Sequence, residues 1–264
     1  MTDSYRLYKG AWIYALDPHM EKQLSKNELD ALFLNGGMMI RNSFDFDCAK
    51  ETSFWYVIKD SFGGMEELSS KMRNQVKKCF KTMRVERITS EYLFEYGYEV
   101  FVAATDNYKI KATPPTRSEF EARIKNTEEN EYWACFDLET NRMVAFCMNA
   151  VSDESCEYRT MKAIPEYQKK YAYYGLIYEM NRHYLEERKL KYVNDGARSI
   201  TNHSNMQPFL IDKFNFRKAY SNLAIHYKWW LCVAIKTLYP FRKMIPVRQV
   251  RALLDLEAMA RGEI

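Results

Sequence analysis

The sequence predicts an α+β protein built on a mixed, mostly antiparallel β-sheet flanked by helices. Two apolar runs, 143–151 and 156–163, lie on either side of the polar turn 152–155, a pattern typical of a β-hairpin. Apolar residues then recur at helical spacing over 173–184, and a short strand pattern follows in KYVNDG, 191–196. With 264 residues, of which 47% are hydrophobic and 28% charged, the chain is long enough to bury a substantial core.

The N-terminal lobe, predicted for residues 1–112, contains elements of both kinds. The capping box Ser25-x-x-Glu28 predicts the start of a helix, and Gly36-Gly37 predicts its end. An apolar stripe interleaved with lysines and arginines predicts a basic amphipathic helix over 65–83. The other elements predicted in this lobe are strands at 7–15, 38–44 and 54–60, a short helix at 90–96 and a buried strand at 98–104.

The pair Pro114-Pro115 interrupts regular structure and predicts a boundary near residue 113. After this boundary we predict a core domain over 113–228 and an amphipathic helical tail over 229–264. The core begins with a helix opened by the capping box Ser118-x-x-Glu121. Its further elements are a strand at 132–136, the hairpin, a helix after Pro165, the strand at 191–196, a helix within 205–214 and a strand at 216–227.

Three segments of the chain are similar to segments of a known superfamily. DGARSITNHSN (195–205) and FLIDKFNFRKAY (209–220) are similar to the end of a fifth strand, the helix after it and the entry to the next strand, with Asn215 in a glycine position. Together with the element order, they resemble the core of the GNAT (GCN5-related N-acyltransferase) superfamily. LSSKMRNQVKKCFKTMRVE (68–86) is similar to the basic helix of its Fem-type branch, which modifies peptidoglycan or lipids. That branch implies that the N-terminal lobe is a degenerate copy of the core.

The resemblance implies an N-acyltransferase, in which an amine attacks an acyl donor directly. The attacked carbonyl oxygen needs a hydrogen-bond donor, which the family supplies from its fourth strand, and the donor's phosphates bind at the next helix N-terminus. The residues mapped onto these two places are Met161, Lys162, Ala163, Gln168, Lys169, Lys170, Tyr171 and Ala172.

The phosphate fingerprint of the family is only partly present. It consists of Gln or Arg, two residues, Gly, one residue, then Gly or Ala, and it falls on 168–173. Gln168 matches, but Tyr171 and Tyr173 occupy both small-residue positions, where bulky side chains hold a pyrophosphate away from the backbone. The fingerprint for acyl-CoA is therefore degenerate, and acyl-CoA is one candidate donor among several. Aminoacyl-tRNA, the donor of the Fem-type branch, and an acyl carrier protein are the alternatives.

Candidate acceptor residues are crowded at the C-terminal end of the strand at 191–196, because crevices form at strand ends in α/β sheets. Asp195 or His203 is predicted to take the proton of the attacking ammonium. The alternative is that Asp195 and the nearby Asn205 only cap a turn and a helix. We expect the neighbouring strands that end at Ala163 and Asp195 to part and leave a gap where the donor carbonyl is attacked.

Two further roles are assigned by the resemblance and by charge. Ile211 takes the position of the family's general-acid tyrosine, so Tyr220 or Tyr227 is the replacement, and we select Tyr227. Residues predicted to bind the acceptor or its phosphates are Arg73, Lys77, Arg198, Asn202 and Asn205. The alternative for Arg73 and Lys77 is a solvated charged helix face. The acceptor class is a small-molecule or glycan amine.

Composition limits the compartment and the cofactors. The net charge is +4, and the six cysteines and four histidines show no metal-binding spacing, so no metal is predicted. The sequence lacks an apolar run of about 20 residues, the length needed to span a bilayer. We therefore predict a cytoplasmic protein. Its tail, WWLCVAIKTLYPFRKMI, is either an interfacial helix on anionic lipid or a surface packed against the domain or a second subunit.

A function of another class stays open at this point. A chain with a degenerate donor fingerprint is also compatible with a catalytically inactive GNAT-like binding module that docks to a protein or membrane partner. Sequence alone does not separate this module from the enzyme, because both need the same fold.

Overall fold

The computed structural model describes residues 4–105, 114–125, 129–198 and 205–264. The strands in these ranges are β1 (Tyr5–Tyr8), β2 (Ala11–Tyr14), β3 (Met39–Phe44), β4 (Phe54–Lys59), β5 (Met83–Ile88), β6 (Asn130–Asp137), β7 (Met143–Val151), β8 (Ser155–Ala163), β9 (Tyr192–Ala197) and β10 (Arg217–Tyr227). The helices are α1 (Lys26–Leu34), α2 (Ser70–Thr82), α3 (Ser90–Thr105), α4 (Arg117–Lys125), α5 (Pro165–Lys169), α6 (Ala172–Asn181), α7 (Met206–Phe214), α8 (Trp229–Leu238) and α9 (Arg248–Ala260). A π-helical turn follows α6 at Arg182–Glu187, and a 3₁₀ turn follows α8 at Tyr239–Phe241.

The chain forms two compact units. The first, here called the terminal unit, contains residues 1–57, 197–205 and 218–264. The second, the central unit, contains residues 58–196 and 206–217. Both units are discontinuous in sequence, whereas the division predicted above at 112 and 228 is continuous.

The terminal unit contains a mixed sheet. β1 and β2 are antiparallel, β2 and β3 are parallel, and β3 and β10 are antiparallel, with Ile40 opposite His226. The prediction of one strand over 7–15 is wrong, because a tight turn divides the segment into β1 and β2. Lys9 and Gly10 in this turn both have positive φ angles, 48° and 79°, as the two-residue turn of a hairpin requires.

The central unit is a sheet with helices on both faces. β5, β6, β7 and β8 are antiparallel neighbours, and β9 lies parallel to β8. Alternate side chains of β6 point to opposite faces. Tyr132, Ala134 and Phe136 belong to the apolar cluster that α3 and α4 cover, whereas Trp133 donates a hydrogen bond to Tyr184, beyond α6. The predicted class, an α+β protein with a mixed, mostly antiparallel sheet flanked by helices, is confirmed.

Most of the predicted elements are confirmed, and α3 is the main exception. Gly97 was predicted to end a helix and 98–104 to form a strand, but α3 runs through both. Leu93, Gly97, Val100 and Ala104 are all buried on one side of α3. A Cβ at Gly97 would lie 2.9 Å from Phe120, so this glycine permits close packing of α4 instead of ending the helix. An apolar run of this length is ambiguous between strand and helix.

The capping box of α4 lies two residues earlier in the chain than predicted. The predicted capping box was Ser118-x-x-Glu121, whereas Thr116 caps the helix. The backbone N–H of Thr116 donates to Glu119 Oε2 at 2.7 Å, and the backbone N–H of Glu119 donates to Thr116 Oγ1 at 3.3 Å. Both boxes have the required spacing, so only the observed contacts separate them.

Gly175 marks the crossing of α2 and α6 and gives a stability prediction. A Cβ at this position would lie 2.4 Å from Cys79 Sγ and 3.3 Å from Val85. We expect Gly175→Ala to lower the free energy of unfolding by about 1–3 kcal/mol through overpacking, measured by urea denaturation.

The matched control is the same substitution in a Cys79→Ala background, where the sulfur is absent. We expect the loss caused by Gly175→Ala to be smaller there, because the two sites are in contact and their effects are not additive. Equal losses in both backgrounds would contradict the close approach of α2 and α6.

Candidate functional site

A gap opens in the central unit where β8 and β9 stop pairing. Their parallel register runs from Ser155 opposite Tyr192 to Glu157 opposite Asn194. β8 continues beyond this point to Ala163, and β9 continues through Asp195. The strands therefore part after Glu157 and Asn194, earlier than the predicted positions, Ala163 and Asp195.

Two local irregularities coincide with this parting. The register between β7 and β8 shifts between Met148, which is opposite Thr160, and Asn149, which is opposite Tyr158, so Arg159 is an extra residue in β8. A bulge of this kind bends its strand and increases the twist. In β9, Asn194 Oδ1 accepts a hydrogen bond from the Gly196 N–H at 3.0 Å, and Gly196 has a φ of 76°. Both strands therefore change direction at the same level of the sheet.

Backbone groups of β8 face the gap. The Ile164 N–H donates to the Val144 carbonyl at 2.9 Å, and Ala163 lies opposite Ala145. In an antiparallel pair, residues alternate along each strand: one directs its N–H and C=O toward the partner strand, and the next directs them away from it. Because Ile164 is bonded to β7, its neighbour Ala163 directs its own N–H and C=O away from β7. Ala163 and, two residues earlier, Met161 therefore present their backbone N–H groups on the side away from β7, which is the side of the gap.

Lys162 is oriented differently from its two neighbours. Its backbone faces β7 by the same alternation, and its ammonium group lies 5.0 Å from the ring centroid of Phe101. The Ala163 carbonyl accepts a hydrogen bond from Gln168 Nε2 at 3.0 Å. Gln168 thus ties the turn after β8 to the end of the strand.

The turn between α5 and α6 contains no glycine, but one of its residues has the left-handed backbone conformation that glycine favours. Tyr171, at the first small-residue position of the fingerprint, has φ and ψ angles of 73° and 28°, in the left-handed region. Its ring contacts Tyr174 edge-on at 5.3 Å between centroids, and Tyr174 contacts Phe209 in the same way at 5.1 Å. An aromatic cluster thus lies at the N-terminus of α6, beside the buried Ala172.

The two lysines of this turn are exposed. The Lys170 ammonium forms an ion pair with Glu166 at 2.7 Å and lies 4.6 Å from the ring centroid of Tyr167. This hydrogen bond to Glu166 raises the pKa of Lys170. Lys170 therefore stays protonated at neutral pH, and Lys169 beside it adds a second positive charge at the surface.

Asp195 lies at the gap and carries the clearest electrostatic signal. Burial and, to a smaller extent, the nearby Glu157 carboxylate raise the pKa of Asp195 to about 7. Glu157 in turn forms an ion pair with Arg159, the bulge residue, at 2.7 Å. Within β9 the Asn194 side chain accepts from the Gly196 N–H, and the Asp195 carbonyl accepts from Gln207 Nε2 at 3.3 Å. A carboxyl with a pKa near 7 can take a proton and release it at neutral pH.

A buried polar cluster that we did not predict lies on the same sheet. The Tyr184 hydroxyl accepts hydrogen bonds from Trp133 Nε1 at 2.9 Å and Asn149 Nδ2 at 3.2 Å, and it donates to Glu131 at 3.1 Å. Cys147 Sγ donates to Asn149 Oδ1 at 2.9 Å. A fully buried asparagine in the apolar run 143–151 is the one sequence signal for this cluster.

Arg198, predicted to bind the acceptor, and Tyr227, predicted as the general acid, both have local hydrogen-bond partners. The Arg198 guanidinium donates to the carbonyls of Ser53 at 2.7 Å and Ile264 at 3.1 Å. Tyr227 donates to Glu257 Oε2 at 2.7 Å, and burial, followed by this carboxylate, raises the pKa of Tyr227. Asn205 is exposed. His203 and Asn202 lie outside the described residues.

Of the two residues of the basic helix α2 that were predicted to bind phosphates, one is exposed. Lys77 is exposed, whereas the Arg73 guanidinium donates to the Leu68 carbonyl at 2.8 Å and to Ser70 Oγ at 3.0 Å. Arg73 therefore folds back on the first turn of its own helix.

Among the described residues, no three histidines, cysteines or acidic residues lie close enough together to hold a metal ion. None of the helices in the described ranges is long and apolar enough to cross a bilayer.

Comparisons with known proteins add a fold assignment. Neither the protein-family models nor the curated proteins searched match the sequence. Among solved structures, FemX is similar with a TM-score of 0.56 and 10% identity, over 85% of this chain and 83% of FemX. A C-terminal domain assigned to a lysylphosphatidylglycerol synthetase from Agrobacterium fabrum gives 0.50 and 9%, over 98% and 86%. L-PGS from Bacillus licheniformis gives 0.52 and 10%, over 89% and 83%.

At these identities the likeness concerns the fold. The chain therefore has a GNAT-like fold, in the form that FemX and the lysylphosphatidylglycerol synthetase domain share.

Proposed function

We propose that this protein transfers an aminoacyl group from aminoacyl-tRNA to an amine of a cell-envelope acceptor. The observation that carries this proposal is the gap between β8 and β9 in the central unit. Asp195, with a pKa of about 7, lies where the pairing of the two strands ends, and the backbone amides of Met161 and Ala163 lie on β8 beyond that point. A carbonyl held there has a hydrogen-bond donor for its oxygen and a base for its attacker. The likeness in fold to FemX and to a protein named for attaching lysine to phosphatidylglycerol supports the aminoacyl class.

The transfer requires three events at the gap. The acceptor ammonium gives one proton to the Asp195 carboxylate, which frees the nitrogen lone pair. The nitrogen then forms a bond to the carbonyl carbon of the aminoacyl ester, and one backbone N–H group of β8, that of Met161 or that of Ala163, donates to the developing oxyanion. When the carbon–oxygen bond to the ribose breaks, the leaving oxygen takes the second proton that the attacking nitrogen loses as it becomes an amide, so it leaves as a hydroxyl group. Asp195 then releases its own proton to solvent.

The acidic pair explains why an amine is the acceptor in this proposal. Glu157 and Asp195 place two carboxyl groups beside the gap. A cationic ammonium is attracted to them, whereas an anionic acceptor group is repelled. When the proton moves, the ammonium becomes a neutral amine and the Asp195 carboxylate becomes a neutral carboxyl group. The net charge at the gap is therefore unchanged by this step.

The donor side favours an ester of tRNA over coenzyme A. The rings of Tyr171 and Tyr174 lie at the N-terminus of α6, where the family binds a pyrophosphate against bare backbone. The second small-residue position of the fingerprint is Tyr173. Exposed lysines of α2, among them Lys77, offer positive charge to an RNA backbone instead. An acyl carrier protein remains the comparison donor in the assay below.

Asp195→Asn tests the base. We expect this variant to lower kcat/KM by a factor of about 10² to 10⁴, the usual contribution of a positioned base. The assay follows transfer of labelled amino acid from a complete set of aminoacyl-tRNAs to a panel of envelope amines, with acyl-CoA and acyl carrier protein donors in parallel. If the wild-type protein modifies an amine from acyl-CoA alone, the aminoacyl proposal is wrong. If no donor gives a product, the binding module of the same fold becomes the better explanation.

The pH profile tests the environment of Asp195. Only the ionised carboxyl accepts a proton, so kcat/KM of the wild-type protein should rise with pH and level off above a midpoint near 7. Glu157→Gln removes the negative neighbour and should move this midpoint to lower pH. The conservative control Glu157→Asp keeps the charge and should leave the midpoint close to that of wild type. An unshifted midpoint in Glu157→Gln would contradict the coupling of the two carboxyl groups.

A stability measurement tests the same pKa without any substrate. The pKa of Asp195 is about 7 in the folded protein and about 3.9 in the unfolded chain, so the unfolded state releases this proton more readily. Ionisation therefore destabilises the fold progressively as pH rises from about 4 to about 7. We expect Asp195→Asn to raise the melting temperature more at pH 8 than at pH 5. The same gain at both values would show that Asp195 has an ordinary pKa.

A further inference from the structure

The tail of the terminal unit exposes apolar side chains that its own packing leaves uncovered. α8 packs one side against α9 through Leu231, Ile235 and Leu254. The remaining apolar side chains face solvent, and Trp229 and Met244 are each 80% exposed. We call these residues the tail surface: Trp229, Trp230, Val233, Phe241, Met244 and Val247.

The tail surface lies in a strongly cationic segment. The segment from Lys228 to Arg248 contains five basic residues and no acidic one: Lys228, Lys236, Arg242, Lys243 and Arg248. Lys236 and Lys243 are exposed beside the apolar side chains, whereas Arg242 pairs with Glu263 at 3.0 Å and packs over Tyr239. Tryptophan with lysine or arginine is the combination that binds the interface of an anionic membrane, because the rings enter the headgroup region and the cations meet the lipid phosphates.

We propose that the tail surface docks this protein on a membrane that contains anionic phospholipid. Five basic residues without an acidic one favour this occupant over a second copy of the chain, because two identical cationic surfaces repel each other. A lipid surface also needs no matching pocket, and the tail surface consists of three aromatic rings, two valines and one methionine, spread over α8 and the segment that leads to α9. The proposal does not depend on the transfer reaction, since the tail surface shares no residue with the gap.

Vesicle binding tests the docking. The full chain is mixed with vesicles of phosphatidylcholine alone, or of an equal mixture of phosphatidylcholine and phosphatidylglycerol, and the bound fraction is measured by co-sedimentation. We expect binding to the mixed vesicles that weakens with salt, and little binding to phosphatidylcholine alone. Tryptophan fluorescence should shift to the blue on binding and be quenched by brominated lipid. Equal binding to both vesicle types, or none to either, would overturn the proposal.

Two variants separate the apolar and the charged contributions. Trp229→Ala with Trp230→Ala should weaken binding to the mixed vesicles by about tenfold or more. Lys236→Glu with Lys243→Glu should reduce the preference for phosphatidylglycerol by about tenfold or more. Because these side chains are exposed, the melting temperature should stay that of wild type.

The control for exposed apolar area is Leu138→Ala, at a residue that is 50% exposed in the central unit. It should bind the mixed vesicles as wild type does, and so should Asp195→Asn. If Leu138→Ala weakens binding as much as the tryptophan pair does, the attachment is non-specific and the proposal is wrong. If the chain instead forms dimers that only the tryptophan variant loses, with no vesicle binding, the tail surface is an interface between copies.

Discussion

The separation of β8 from β9 is the constraint on which the candidate site depends. Two parallel strands that stayed paired would use their backbone groups on each other. Here the ladder ends at Glu157 and Asn194, where Arg159 adds a bulge to β8 and Gly196 allows β9 to turn. Beyond that point the alternation of β8 directs the Met161 and Ala163 amides toward the gap. Burial and the nearby Glu157 carboxylate raise the pKa of Asp195.

The turn before α6 shows how a binding loop can keep its backbone and change its chemistry. Tyr171 adopts the left-handed conformation in which glycine is favoured, at a cost of about 1–2 kcal/mol for other residues. Contact of its ring with Tyr174 helps to offset that cost. The backbone conformation is thus one that glycine favours, while tyrosines stand at both positions where the fingerprint has small residues. An activity with a different donor is the consequence we propose.

Sequence patterns predicted the central unit best where turn signals bound an apolar run or where one helical period dominates. The apolar runs of β7 and β8 and the helical spacing of α6 were confirmed, because the two strands pair with each other and α6 packs on the same sheet. The prediction failed in α3, where a continuous apolar run with a glycine fits either a strand or a helix. The decision came from Phe120, whose packing against Gly97 involves a segment further along the chain.

For the candidate site, the sequence by itself determined the order of the elements, the polar residues after β9 and the loss of both small residues from the phosphate fingerprint. Asp195 could be selected because it lies at the end of a predicted strand. Only the tertiary structure decided where the strands part, that the Glu157 carboxylate lies near enough to raise the pKa of Asp195, and that Tyr171 has a positive φ. Each of these depends on distances between segments far apart in the chain, and periodicity carries information only about residues that are close in sequence.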